Sequence, residues 1–418
     1  MLFFFFFFFF FWVLTQNALK GKGVEESPDG TILLLTELAV DKEITFSQFS
    51  CIVNCLMKYL ENERFQNVCV SNGMVENVLS VLHQSFSIDV DRSSVEETKA
   101  LVQLQLKINQ SLAEVSGSEL FAKFYPLDSQ MIQTLKSWLT ATEDQLQICS
   151  CVMLGNLARS DEVCEVMVRD LGLHKELVSI LKSDARGAVL HSSLSFLKNL
   201  AIAGDNRSYL GDAGIVPAIS RLWGYETVPQ VQFAATSIAR QLIISSVQNI
   251  SRLLDAPPPE PEGDSSTNKP TYLSHLLALF GKTDSAPIKT EIGRIVASIC
   301  RTLSPKAREQ NDEAKTLLDR LFGLHEGVAR PVGAMVTQTQ WPVVRSEGWF
   351  ALALMASSKQ GSLAVVDCLQ SMEVYPLLEE TLSAGDSDPA NETDKLKQAK
   401  DRDNTIILVQ ELLKSDVS

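Results

Sequence analysis

The stretch Cys151-Val-Met-Leu-Gly-Asn-Leu-Ala158 returns 43 residues later as Leu194-Ser-Phe-Leu-Lys-Asn-Leu-Ala201. The residues that follow repeat as well, since the segment from Asp170 to Leu181 matches the segment from Asp212 to Trp223 at an offset of 42. Each unit reads helix, glycine, helix, and a period near 42 residues is typical of armadillo and HEAT repeats. We therefore expect an all-α protein, an armadillo/HEAT-like right-handed α-solenoid.

Two weaker copies extend the array in both directions. Residues 71–82 repeat the second half of the unit, while residues 351–356 and 371–382 repeat both halves. Three copies place a glycine where one helix ends and the next begins: Gly73, Gly172 and Gly214. The end of a helix often needs a left-handed residue, a conformation that glycine adopts without strain. Glu373 occupies this position in the last copy, which predicts a degenerate terminal repeat.

The apolar residues keep helical spacing between these landmarks. One predicted stripe consists of Phe49, Ile52, Val53 and Leu56. We expect repeats over residues 21–254 and again over 271–418, about eight or nine in number. Residues 255–270 are acidic and proline-rich without an apolar stripe, so we expect an exposed loop between helices of neighbouring repeats. A second polar stretch, residues 384–403, is predicted to be a loop before a terminal helix.

The first 20 residues require a separate interpretation. Phe3 to Phe11 form an unbroken run of nine phenylalanines, and Trp12-Val13-Leu14 follow. This apolar run is too short to cross a bilayer as a helix, which needs about 20 residues. It also has no charged leading region and no small-residue cleavage site of the kind found in signal peptides. We interpret residues 1–20 as a non-native or disordered segment, and we expect no stable membrane insertion.

The charge balance narrows the class of partner. Lysine and arginine total 37 against 51 aspartates and glutamates, which gives a net charge of −14. Proteins that bind nucleic acid normally carry a basic surface, so this class is disfavoured and we expect no nucleic-acid partner, whereas an acidic surface attracts a basic partner. The eight cysteines form no Cys-x-x-Cys pair and lie mostly in apolar runs, where a thiol acts as a small hydrophobic group. We therefore expect a reducing compartment, the cytoplasm, with the nucleus as an alternative.

No motif for covalent chemistry stands out. Gly281-Lys282-Thr283 resembles the end of a phosphate-binding loop, but Leu276 stands where the loop needs its first glycine. The sequence contains no HExxH and no GxSxG, and its five histidines are scattered. We predict no catalytic residue, no metal site and no cofactor.

Partner-binding residues are instead expected on the helix that ends in Asn-Leu-Ala, because this helix lines the concave groove of an armadillo repeat. Asn156 and Asn199 are predicted to stand there as neighbouring rungs, although an asparagine at this position could instead cap or bridge turns between helices. At the helix ends, four further residues extend these rungs: Arg159, Asp161, Glu162 and Arg207. Asn206 lies seven residues after Asn199, about two turns of a continuous helix, which predicts that both amides face the same side.

These same residues resemble consecutive repeats of the smgGDS family, the armadillo-repeat stimulators of GDP dissociation from small GTPases. The likeness rests on Gly155 to Asp161 with Cys164, on Asn199 to Ile202 with Asn206-Arg207, on Val231-Gln232-Phe233 with Arg240, and on Glu347 to Ala356. One departure is Val163, which stands where the family pattern has a second asparagine.

The resemblance implies a guanine-nucleotide exchange factor for Rho- or Ras-type GTPases that performs no covalent chemistry. It also implies partners with basic, often prenylated tails, bound in a groove that includes Arg240. The alternative is a general armadillo adaptor without exchange activity. Its importin-α-like version is disfavoured, because no tryptophan stands four residues before a ladder asparagine.

Overall fold

The computed structural model describes residues 22–91, 94–258, 270–338, 340–383 and 392–415. Within these ranges the chain forms 24 α-helices and one 3₁₀ turn, with no β-strand. Clustering of the backbone divides the chain into two compact units, residues 1–199 and 200–418. The predicted all-α armadillo-type fold is confirmed.

The helices follow one another in trios whose third member is the longest. The first unit contains α1 (Lys22–Glu25), α2 (Gly30–Ala39), α3 (Phe46–Leu60), α4 (Glu63–Ser71), α5 (Val75–Gln84), α6 (Val95–Ser116), α7 (Glu119–Phe124), α8 (Gln130–Trp138), α9 (Asp144–Leu157), α10 (Asp161–Arg169) and α11 (Leu173–Lys182), and it includes most of α12 (Gly187–Ile202).

The second unit continues the same order. It contains α13 (Asn206–Asp212), α14 (Ile215–Ser220) with the 3₁₀ turn Arg221–Gly224, α15 (Pro229–Ile243), α16 (Val247–Leu254), α17 (Tyr272–Lys282), α18 (Ala286–Arg308), α19 (Asp312–Leu324), α20 (Arg330–Thr337), α21 (Pro342–Met355), α22 (Lys359–Ser371), α23 (Tyr375–Ser383) and α24 (Glu392–Lys414). The 24 helices thus make eight trios, each with the three-helix plan of an armadillo repeat.

Helix α3 illustrates why these segments fold as helices. Its N-cap Thr45 accepts a hydrogen bond from the Gln48 backbone N–H, and the Thr45 backbone N–H donates to Gln48 Oε1 at 2.9 Å. This capping box satisfies backbone donors that have no partner within the helix. The predicted stripe is buried, with at most 7% of any side chain exposed: Phe49, Ile52, Val53 and Leu56. A local cap and one apolar face therefore determine this helix.

Third helices pack against one another within each unit. In the first unit α6 packs on both α3 and α9. In the second, α15, α18, α21 and α24 form a continuous row. We call the exposed side of the third helices the ladder face, and it is described separately for each unit.

The predicted left-handed positions are confirmed. Gly73, Gly172 and Gly214 have φ angles of 70°, 66° and 80°. Glu373, the residue predicted at the equivalent place, has φ 54°. A side chain in this region costs about 1–3 kcal/mol, so the last repeat keeps the turn geometry of its relatives at the expense of local strain.

Two predicted loops differ from the structure. Helix α24 begins at Glu392 and so includes the second half of the stretch 384–403, because Glu, Lys, Gln, Ala and Leu dominate that half and all are strong helix formers. The proline-rich stretch 255–270 joins α16 to α17, which are helices of one trio and not of neighbouring repeats. Residues 259–269 and 384–391 of these two stretches, like the segment 1–20, lie outside the described residues.

Replacing Glu373 with glycine is expected to stabilise the fold by about 1 kcal/mol, because relief of backbone strain exceeds the entropy that glycine adds to the unfolded chain. Urea unfolding followed by circular dichroism measures the change. The control is Glu379→Gly, an exposed position inside α23, where the same substitution should destabilise by about 1 kcal/mol. A decrease in stability for both variants would contradict the strain argument.

The cysteines provide a second test. All eight are free thiols, and Cys51 alone is exposed. Burial raises the pKa of Cys69 and of Cys300 to about 12, and the thiolate is the reactive form. We therefore expect one thiol to react rapidly with an aromatic disulfide reagent in the folded protein and seven more only after unfolding. Cys51→Ser should abolish the rapid phase, and a rapid phase of two or more thiols would refute this assignment.

Candidate partner-binding face

The ladder asparagines of the first unit bridge third helices. Asn156 on α9 donates its amide to the backbone oxygen of Ala113 and to Ser116 Oγ on α6, both at 3.0 Å. Asn199 on α12 donates in the same way to the Gly155 oxygen on α9, at 3.0 Å. Both side chains are half-buried. The amide groups of both asparagines therefore bridge neighbouring helices, which was the alternative to partner binding. Part of each side chain still faces solvent.

Charged residues surround Asn156 at the end of α9. Arg159 is exposed, and its Nε donates to the Asn156 backbone oxygen at 2.7 Å. Asp161 and Glu162 open α10 and are also exposed. Hydrogen bonds from its own backbone N–H and from Ser160 lower the pKa of Glu162, so this carboxylate stays ionised. Five of the predicted residues thus belong to the first unit, and two of them are exposed carboxylates at the start of α10, the helix that follows α9.

The prediction that Asn206 faces a partner beside Asn199 is wrong. Helix α12 ends at Ile202 and α13 begins at Asn206, so no continuous helix joins the two asparagines. The Asn206 side chain is fully buried, and its amide donates to the Leu200 oxygen at 3.1 Å. Its role is to satisfy a carbonyl at the end of α12.

Arg207 has a similar structural role. Its guanidinium donates to the backbone oxygens of Ala201, Ile202 and Ile244, at 3.0 to 3.4 Å. These carbonyls lie at the ends of α12 and α15, where helices leave carbonyl groups without internal partners. The side chain therefore joins two third helices, and only part of it is exposed.

Other repeats contain equivalents of Asn206 that the sequence interpretation missed. Asn249 donates to the Leu242 oxygen at 3.0 Å and to the Arg207 oxygen at 2.8 Å. Its offset of 43 residues from Asn206 was a usable signal. The same bond to the end of the preceding third helix is made by Gln66 to Leu60 and by Ser362 to Ala356. In the fourth trio Val163 occupies the position of Asn206. Because valine has no side-chain donor, this departure from the family pattern costs the repeat the hydrogen bond to the end of its preceding third helix.

Arg240 belongs to a chain of ion pairs on the ladder face of the second unit. Its Nε lies 2.7 Å from Glu291 Oε2, and Glu291 Oε1 lies 3.4 Å from a terminal nitrogen of Arg294. Arg294 Nε in turn lies 2.8 Å from Glu347 Oε2. These pairs connect α15, α18 and α21. Sequence reasoning missed Glu291 and Arg294, because no motif marks residues that become neighbours only through helix packing.

The ladder faces offer hydrogen-bonding and charged groups, and the described residues contain no group of three potential ligands placed to hold a metal ion. None of the described helices has the length and apolar character needed to cross a membrane. Such surfaces suit the recognition of another protein.

Comparison with curated proteins identifies homologues that act on GTPases. The chain is 27% identical over 216 residues to Rap1 GTPase-GDP dissociation stimulator 1-B of Xenopus laevis, which covers 51% of this chain and 34% of that protein. It is 24% identical over 164 residues to the GTPase-GDP dissociation stimulator vimar of Drosophila melanogaster, covering 38% of this chain and 24% of vimar. The matches thus span about a third or less of the length of these relatives. No protein-family model matches the chain.

Solved structures with a similar fold include designed armadillo repeat proteins. A designed armadillo repeat protein in complex with the peptide (KR)4 has a TM-score of 0.50 at 18% identity and covers 68% of this chain and all of its own. A structure of β-catenin, studied for its interaction with cadherin, has a TM-score of 0.59 at 14% identity and covers 96% of this chain and 71% of its own. At these identities the likeness establishes the fold alone.

Replacing Asn206 with alanine is expected to lower stability by about 1–3 kcal/mol, because the buried Leu200 carbonyl loses its donor. Ser208→Ala is the matched control in the same helix, since Ser208 is exposed, and it should change stability little. Urea unfolding of both variants measures the difference. Equal stability of the two variants would show that the hydrogen bond from Asn206 to Leu200 does not stabilise the fold.

Proposed function

We propose that this protein stimulates the dissociation of GDP from a small GTPase of the Rho or Ras type, binding it through the ladder face. The observation that carries the proposal is the sequence match to GTPase-GDP dissociation stimulators from two animals. The half-exposed Asn156 and Asn199, with Arg159 at a helix end, supply the polar groups for recognition. In the second unit we propose Arg240 as a separate partner-binding residue.

Such a protein works by differential binding. If it binds the nucleotide-free GTPase more tightly than the GDP-bound form, GDP affinity must fall by the same factor. No covalent step and no cofactor are needed. The ladder faces fit this mechanism, because they offer exposed and half-exposed polar side chains with which another protein can be bound.

Charge supports a basic segment as part of the partner. The chain carries a net charge of −14, and Asp161 and Glu162 place two exposed carboxylates in the first turn of α10, shortly after Asn156 and Arg159 in the sequence. A designed protein of the same fold binds the peptide (KR)4. We propose that the basic, often prenylated tail of the GTPase is held near these carboxylates.

The test is the rate at which Rho- and Ras-type GTPases release a fluorescent GDP analogue. We expect acceleration by the unmodified protein. The double variant Asp161→Lys/Glu162→Lys should bind the GTPase more slowly and with a weaker salt dependence, because long-range attraction governs the encounter.

A matched control is the double variant Asp312→Lys/Glu313→Lys, which reverses the two exposed acidic residues in the first turn of α19. Both variants lose the same favourable interaction with a helix N-terminus, so their stabilities should fall by similar amounts. Equal association rates for the two variants would show that the basic tail does not bind near Asp161 and Glu162. Binding without accelerated release would favour an adaptor.

A further inference from the structure

A groove crosses the ladder face of the second unit between α18 and α21. It consists of two depressions that share Val343, with volumes of about 450 and 380 Å³. Phe233, Arg294 and Trp341 line the first depression, and Arg301, Phe350 and Lys400 line the second. We call this surface the α18–α21 groove.

Large apolar side chains are unusually exposed in this groove. Val343 is 61% exposed, Trp341 42% and Phe350 38%. Val343 lines both depressions, with Trp341 in the first and Phe350 in the second, so the three side chains follow one another along the groove. Contiguous exposed apolar groups beside polar ones mark sites where another molecule binds.

The acidic side chains around this patch are paired with basic ones. Arg240 and Arg294 neutralise Glu291 and Glu347 through the chain of ion pairs described above. Asp401, on α24, is buried against Arg345 at 3.2 Å and accepts a hydrogen bond from Ser346.

Two cations are left over. Within the described residues neither Arg301 nor Lys400 forms an ion pair, and Arg301 lies over the Phe350 ring at 5.6 Å. The groove therefore presents an apolar floor with a positive rim, in a chain whose net charge is −14.

We propose that the α18–α21 groove binds an acidic peptide segment of a partner protein, in which a large apolar residue is flanked by aspartates or glutamates. The apolar side chain packs against Val343 and Phe350, and the carboxylates pair with Arg301 and Lys400. A guanidinium group binds a carboxylate with two parallel hydrogen bonds, so Arg301 favours acidic side chains in the bound peptide. The site differs in charge from the one proposed for the basic tail and does not depend on it.

Two fluorescein-labelled peptides test the proposal by fluorescence anisotropy with the full chain. The first is Asp-Glu-Leu-Phe-Glu-Asp, and the second replaces its four acidic residues with lysine. We expect the acidic peptide to bind at least tenfold more tightly at low salt. Arg301→Glu/Lys400→Glu should lower that affinity at least tenfold and remove the preference. The control Lys282→Glu/Lys359→Glu makes the same charge change at exposed lysines outside the groove lining and should keep the preference.

A second readout locates the peptide. Trp341 is exposed, whereas Trp138, Trp223 and Trp349 are at most 7% exposed. Saturating acidic peptide should therefore protect tryptophan fluorescence from acrylamide, and Trp341→Phe should abolish the protection. Equal affinity for both peptides, or unchanged affinity in a folded Arg301→Glu/Lys400→Glu variant, would overturn the proposal. Neither result bears on GDP release, which is measured separately.

Discussion

The carbonyl groups at the end of each third helix impose the constraint on which the packing of repeats depends. The last turn of any helix leaves its carbonyls without internal partners, and burial between repeats removes water as an alternative. Asn156 supplies donors to the last turn of α6, and Asn199 to the last turn of α9. Asn206 does the same for its own preceding helix, α12. The Ala113 and Gly155 carbonyls also accept from the backbone N–H groups of Gly117 and Ala158, so there the asparagine adds a second donor. Without Asn206 the buried Leu200 carbonyl would lose its side-chain donor, at a cost of about 1–3 kcal/mol.

This constraint divides the polar residues of the repeat motif into two groups. Asn206 and Arg207 are largely committed to carbonyl groups, so their presence reflects folding more than recognition. Asp161 and Glu162 remain exposed at a helix end, and Arg159 is exposed although its guanidinium donates to the Asn156 and Gly117 oxygens. A repeat motif therefore assigns too many residues to the binding site, because the positions that recur from repeat to repeat include those that packing uses.

The repeat plan could be predicted from the sequence because it depends on local rules. Helical spacing and the left-handed glycines depend on residues within one repeat, and the period near 42 residues is the length of that repeat. The structure confirms the left-handed turns, including the one at Glu373. The pairing of Arg240 with Glu291 could not be predicted, since 51 residues separate them and only the packing of α15 on α18 brings them together. The burial of Asn206 was missed for a related reason. A break of three residues after Ile202 changes which side of the chain faces solvent, and spacing alone does not reveal that break.

The bridges have an asymmetry with an evolutionary consequence. In each one the donor is a side chain, whereas the acceptor is usually a backbone carbonyl, which every residue possesses. A repeat can therefore change nearly all of its last-turn side chains and still be joined to its neighbour. Asparagine, glutamine and serine all serve as the side-chain donor, and the repeat that contains Val163 lacks this donor. Duplicated repeats can thus diverge until their sequences hardly match while their stacking contacts persist, so homologues of such proteins are more readily detected by structure than by sequence.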